Sequence, residues 1–344
     1  MIFPNSVGSR FCFFAVGFIL STGIARAVEP VMDNSLFDNS RASAIYMFKT
    51  QGNPQAAERM EEKALQIAQD QFGPTHPSLV PILNDLATVQ RYLGEYEKSE
   101  ENYKWGLALL ERNFGPNDIS VADSLDHLTA LDTDLGHNEE ALLLEKRAVT
   151  IRENQKKPDL LALAQSLYLL GRVQIRLGAD AQAQALFQQA LDTWEKNQPI
   201  DAGLAIDCLK AIAQTCGLDS KVQEEQSDLE KALTLAQKSF PPQGVEAADA
   251  MESLADFLQA QGETAKADTL YESALQIAKP MVGTVDSLPA LPYIKRLARL
   301  EGDLDQWKES ENLWQKAVQT EKTALGPRHP RVALDLIHLA QAET

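Results

Sequence analysis

Basic residues, cysteines and catalytic signatures are all scarce in this chain of 344 residues. Thirty-two Lys and Arg stand against 49 Asp and Glu, for a formal net charge of −17 at pH 7. Phosphates are repelled by so acidic a chain at long range, which argues against DNA, RNA or an anionic membrane surface as a partner. Only three cysteines occur, Cys12, Cys208 and Cys216. The last two stand eight apart in a helical stretch, about 12 Å along a helix axis, whereas disulfide-linked Cα atoms sit roughly 5.5 Å apart. Two buried thiols are expected; a redox pair is the alternative if the helix ends between them. There is no HExxH, GxSxG, P-loop or CxxC spacing. Nothing therefore points to a metal, a nucleotide, a cofactor or an activated nucleophile. Asn-x-Ser/Thr sequons are also missing, which favours a bacterial source.

What is present is ample apolar content, 44% hydrophobic against 24% charged, enough to build a folded core. The N-terminus is organised separately. Arg10 precedes the apolar stretch FCFFAVGFIL, and Ala25-Arg26-Ala27 follows. This is the three-part layout of an export signal, with cleavage expected after Ala27 and a periplasmic or secreted mature chain. The alternative is an uncleaved anchor, but the charge-free run from Phe11 to Ala25 is 15 residues, short of the roughly 20 a spanning helix needs.

The remainder is periodic. ALQIA occurs at 64–68 and again at 274–278, and that separation is five times 42. Gly52, Gly94, Gly136 and Gly178 stand 42 apart; Ser220 takes the next slot and Gly262 restores the series. Five residues past each marker come Ala57, Ser99, Ala141, Ala183, Glu225 and Ala267. Nine past come Glu61, Tyr103, Glu145, Phe187, Leu229 and Tyr271. Twelve past come Ala64, Gly106, Ala148, Ala190, Ala232 and Ala274. A second mark, FGP at 72–74 and 114–116, becomes FPP at 240–242. Between marks, apolar residues recur at three- and four-residue steps, the helical period. Glycine ends one helix and the proline-bearing mark ends the next. Each unit is therefore a helical hairpin, and one hairpin cannot bury both its faces, so neighbours must stack.

Gly, then Ala five on, an aromatic nine on and Ala twelve on resembles the tetratricopeptide repeat. The 42-residue length, with HP opening the first helix and NDLA within it, resembles the longer kinesin-light-chain subtype. The resemblance covers residues 35–344. It implies an all-α fold, a right-handed αα-superhelix of about seven hairpins plus a terminal helix. The expected units are 35–75, 76–117, 118–159, 160–201, 202–243, 244–286 and 287–328, with a last helix at 329–344. Two departures stand out. The fifth unit lacks the turn glycine and carries Glu225 at a small position. The seventh has no glycine at the next 42-residue step, Gly302 standing ahead of it, with Ala317 holding the second helix in register at a one-residue shift. HEAT-like repeats are the structural rival.

The resemblance also implies that first helices line a concave groove for a peptide or another protein's helix. Transferred by phase, the groove candidates are Asn84, Arg91, Tyr92, Asp126, His127, Tyr168, Arg172, Arg176, Lys210 and Gln214. Thr88 and Ala130 share those faces, as do Glu252, Asp256, Lys295, Arg296 and Arg299 in later units. Asn84 matches the family's peptide-backbone asparagine, and no other unit supplies one. Arg91, Arg172, Arg176 and Lys210 form a basic strip with Tyr92 and Tyr168 as flat anchors, or else pair with carboxylates such as Asp126 and Asp134. His76 and His329 each stand before a proline, where an imidazole can cap a helix. An enzymatic reading would begin at His127 with Asp123 and Asp126. A binding scaffold without catalysis is the leading expectation. An assembly subunit using the convex face or the apolar last helix is the alternative.

Overall fold

The computed structural model describes residues 53–196, 202–216, 222–241, 244–282 and 291–342. The expected signal segment, the first helix near 36–50, the marker Gly52 and the slot at Ser220 lie outside these residues. Fourteen helices are present among the described residues. They are α1 (Pro54–Phe72), α2 (Val80–Leu93), α3 (Tyr96–Phe114), α4 (Ile119–Leu135), α5 (Asn138–Glu153), α6 (Leu160–Arg176) and α7 (Asp180–Glu195). They continue with α8 (Ala202–Cys216), α9 (Val222–Ser239), α10 (Val245–Ala260), α11 (Thr264–Val282), α12 (Leu291–Asp303), α13 (Trp307–Leu325) and α14 (Pro330–Ala342).

Each helix packs on the next, and the tightest pairings are α2 with α3, α4 with α5, and so on to α12 with α13. The fold is an all-α solenoid of stacked hairpins. The periodic residues explain the stacking. At the small position, Ala57, Ser99, Ala141, Ala183 and Ala267 are buried, as are Ala64, Ala148, Ala190, Ala232, Ala274 and Ala317 seven residues later. Small side chains there let backbones approach, and Tyr103, Phe187, Leu229, Tyr271 and Trp314 fill the space beside them. The approach is close enough for Ser99 to donate its hydroxyl to the Ala87 carbonyl at 2.7 Å, and for Ser310 to do the same to Ala298 at 2.7 Å. The core runs on from hairpin to hairpin as overlapping clusters.

Helix boundaries follow local chemistry. Two first helices, α4 and α6, begin under aspartate caps: Asp118 accepts from the Ser120 amide at 3.0 Å, and Asp159 from Leu161 and Ala162. His76 and His329 cap in the same way, each Nδ1 accepting at 3.2 Å from the amide two residues on. The turn glycines Gly94, Gly136, Gly178 and Gly262 sit in the left-handed region. At the second mark the glycine does more than the proline. Gly73, Gly115 and Gly326 combine φ of 83–95° with ψ near 160°, a region essentially closed to residues with a Cβ.

The seventh unit corrects the sequence reading. Its left-handed turn is made by Asp305, φ 60°, so no glycine marks it. Gly302 lies within α12, its Cα against Ser310 and Trp307. With Asp305 as marker, Ser310, Trp314 and Ala317 fall five, nine and twelve residues on, so the unit keeps its internal spacing while standing one residue beyond the 42-residue step from Gly262. Aspartate tolerates this conformation better than most residues.

Candidate functional site

The first helices α2, α4, α6, α8, α10 and α12 carry the groove candidates, and the structure sorts them by commitment. Asn84 and Thr88 are buried in α2. The Thr88 hydroxyl meets the Tyr103 hydroxyl at 2.8 Å, and the Asn84 Oδ1 sits beside Gly106, where an added Cβ would lie 3.3 Å from it. Arg91 pairs with Asp134 of α4 at 3.3 Å and keeps only 10% of its side chain exposed.

Asp126 is the acceptor of a buried cluster. Arg152 of α5 donates to both its carboxylate oxygens, at 2.9 and 2.6 Å, and to Asp123 at 2.7 Å. Arg152 also donates to the Ser166 hydroxyl of α6, tying two units together. Beside them Glu145 is fully buried, in the slot that four other units give to an aromatic. Burial first, then the Asp126 charge, pushes its carboxyl well above the usual range. His127 stacks on Tyr103, centroids 5.4 Å apart and rings within 6° of parallel. Burial, then the charges of Arg91 and Arg152, lowers its pKa to about 4, so the ring is neutral near pH 7.

Further along, Asp249 of α10 receives Lys210 from α8 on one side and Arg296 from α12, at 2.6 Å, on the other. Glu252 takes Arg299 at 3.0 Å. Lys295 bridges Glu321 at 2.9 Å and Asp335 at 2.6 Å, which fastens α14 to the stack. Ion pairs between units thus occupy the inward-facing basic residues of α2, α8 and α12.

The exception is α6. Arg172 and Arg176 are exposed, and neither meets a carboxylate among the described residues. Arg172 stands over the Tyr168 ring at 6.0 Å, and Tyr168 leans on Phe187 from behind. Gln214, on α8, is exposed next door. Sequence phase placed these four on α6 and α8; it could not distinguish Arg172 and Arg176 from Arg91 and Lys210, whose partners lie in other units.

Tyr92 faces a different neighbour. It packs at the two ends of the described stack, where α2 touches α14: Arg331 covers its ring at 4.2 Å and the His329 Nε2 lies 3.1 Å from its carbonyl oxygen. Sequence reasoning missed this contact. The outward side of α14 is bare, with Leu334 55%, Ile337 56% and Leu336 40% exposed. Among the described residues no group of three or more His, Cys, Asp or Glu is placed to hold a metal, and no helix is long and apolar enough to cross a membrane. Cys208 is a buried free thiol in the unbroken helix α8, whose last residue is Cys216.

Comparison with known proteins agrees with this architecture. Tetratricopeptide-repeat models match residues 41–112, 166–199, 247–286 and 296–331. The chain belongs to the tetratricopeptide repeat family. No curated protein matches it by sequence search. Among solved structures it is similar to a tetratricopeptide repeat protein from Parabacteroides merdae, at 16% identity and TM-score 0.55 over 90% of this chain and 99% of that one. It is similar also to the kinesin-light-chain-like repeats of a Podosopora anserina protein, at 19% identity and TM-score 0.52 over 59% and 95%. A Rap protein complexed with Competence and Sporulation Factor aligns at 13% identity and TM-score 0.57 over 89% and 78%. At these identities the likeness is one of fold.

Proposed function

We propose that this chain is an exported scaffold that binds a protein or peptide segment on the inner wall of its solenoid, without a chemical step. The observation that carries the reading is the uncommitted pair Arg172 and Arg176 beside Tyr168, in a molecule that pairs its other inward cations across units. Two exposed guanidiniums one helical turn apart, backed by an aromatic ring, suit a segment bearing carboxylates. A Rap protein of similar fold is complexed with Competence and Sporulation Factor, a precedent for such a stack holding a partner. Affinity capture by the mature chain, from the compartment it occupies, should yield a partner that Arg172→Glu with Arg176→Glu no longer retains. Capture untouched by both reversals would remove the groove from consideration. Export is tested by N-terminal sequencing of the mature protein, which should begin at Val28.

A second reading, assembly through the last helix, is favoured by the exposed Leu334, Leu336 and Ile337. It requires concentration-dependent self-association in sedimentation, abolished by Leu334→Ser with Ile337→Ser.

A further inference from the structure

We propose that the opening and closing helices of the described stack, α1 and α2 against α13 and α14, form a releasable seam, and that its opening controls access to the inner wall. On one side lie Gln55 of α1 with Tyr92 and Gly94 at the end of α2. On the other lie Ala324, near the end of α13, and His329 and Arg331 at the start of α14. Gln55 donates its side-chain amide to the Ala324 carbonyl at 2.6 Å, across 269 residues of sequence. His329 reaches the Tyr92 carbonyl at 3.1 Å, across 237 residues. Because the His329 Nδ1 already accepts the Arg331 amide, Nε2 carries the proton and donates to Tyr92. The imidazole fits against Gly94, where a Cβ would come within 3.2 Å of Nε2. Arg331 then closes over the Tyr92 ring at 4.2 Å, a cation–π contact.

The seam is built to part. Both hydrogen-bonded carbonyls belong to last turns of helices, where no intrahelical donor is available and water is the ordinary substitute. Opening therefore exchanges two protein hydrogen bonds for hydration and exposes one aromatic ring. No buried ion pair joins the two sides among the residues that form it. In this proposal the closed stack limits lateral approach of a bulky partner to Arg172 and Arg176 on α6, which lies between the two sides of the seam in chain order. That gating rests on the docking role proposed for the inner wall; the closure itself does not.

Small-angle scattering and thiol labelling separate the two. Closure predicts that the intact chain scatters with its ends together, and that Tyr92→Ala with Arg331→Ala increases its radius of gyration. Tyr92→Phe, which keeps the ring, should leave the wild-type value. Circular dichroism should show unchanged helix content in all three. An intact chain that already scatters as an open array, or a double variant indistinguishable from wild type, overturns the seam. Access is read in a background lacking Cys12 and Cys216, with Gln214→Cys as the reporter on α8. The remaining Cys208 is buried, and burial pushes its thiol pKa up, so it stays silent. Opening the seam should raise the reporter's rate with a 5-kDa (about) maleimide-polyethylene glycol roughly tenfold, as a minor open state becomes the major one. The rate with N-ethylmaleimide should stay constant. Equal rates for the large reagent in both proteins overturn the gating while leaving the seam and the groove to their own tests.

Discussion

Arg152 and Asp126, on the two helices of the same hairpin, share a two-pronged hydrogen bond with almost no exposure to water: each side chain is only 2% accessible. The pair holds α4 to α5, and the further bond to Ser166 holds both to the next unit. Removing one member of a buried pair strands the other. Arg152→Leu should therefore cost about 3–5 kcal/mol, and adding Asp126→Leu should restore much of it. Urea unfolding of the single and double variants measures both. A double variant no better than the single would refute the pairing as the cause.

Gly171 lies inside α6, where helix propensity alone would reward alanine by about 1 kcal/mol. The Phe187 ring occupies that space: a Cβ would lie 2.6 Å from one ring carbon and 2.9 Å from another. Overpacking of that kind costs about 1–3 kcal/mol. Gly171→Ala should lower the urea midpoint, and combining it with Phe187→Leu should recover part of the loss.

Two carboxyls should add stability on acidification, against the loss that the neutral His127 imposes over the same range. Asp303 is pushed up to about 6 by burial and by the charges of Asp256 and Glu252. Asp335 is pushed up to about 6, chiefly by burial. A carboxyl whose folded pKa exceeds its unfolded value favours the folded state when protonated. Its stabilising contribution is complete below the unfolded value near 4 and disappears as pH rises through about 6. Discounted for solvent, each should contribute about 1 kcal/mol between pH 7.5 and pH 4.5. Asp303→Asn should remove its share from the difference in urea midpoint between pH 4.5 and pH 7.5, lowering the midpoint at pH 4.5 relative to that at pH 7.5; an unchanged difference would assign the proton uptake elsewhere.

Charge reversal at Arg172 and Arg176 should leave stability within about 0.5 kcal/mol, as expected for surface residues without partners. Arg296→Glu, by contrast, sets a third carboxylate against Asp249 and Glu252 and should unfold the chain at lower urea. The contrast would separate a role of α6 in capture from one in folding, because loss of capture there would occur in a fully folded protein.

The repeat was legible because the residues that make hairpins stack are local and recur: a small residue, a large one, another small one, at fixed distances from a turn. Asp305 hid the last turn because an aspartate there does by its own conformation what glycine does elsewhere. The commitments of the inward side chains were not legible for a different reason. Arg91 and Asp134 are partners across units, and so are Lys210 and Asp249; a 42-residue pattern fixes which face a residue occupies but not which neighbour its charge meets. His329 was readable as a cap, while its second bond, to Tyr92, depends on curvature accumulated over the whole stack.

That curvature has an arithmetic consequence. An open stack tolerates gain or loss of a unit, since each contacts only its neighbours. Here Gln55 must arrive opposite Ala324 and Tyr92 opposite Arg331. Duplicating or excising one hairpin would carry α1 and α2 past α13 and α14, so a closed seam would tie the fold to its present copy number.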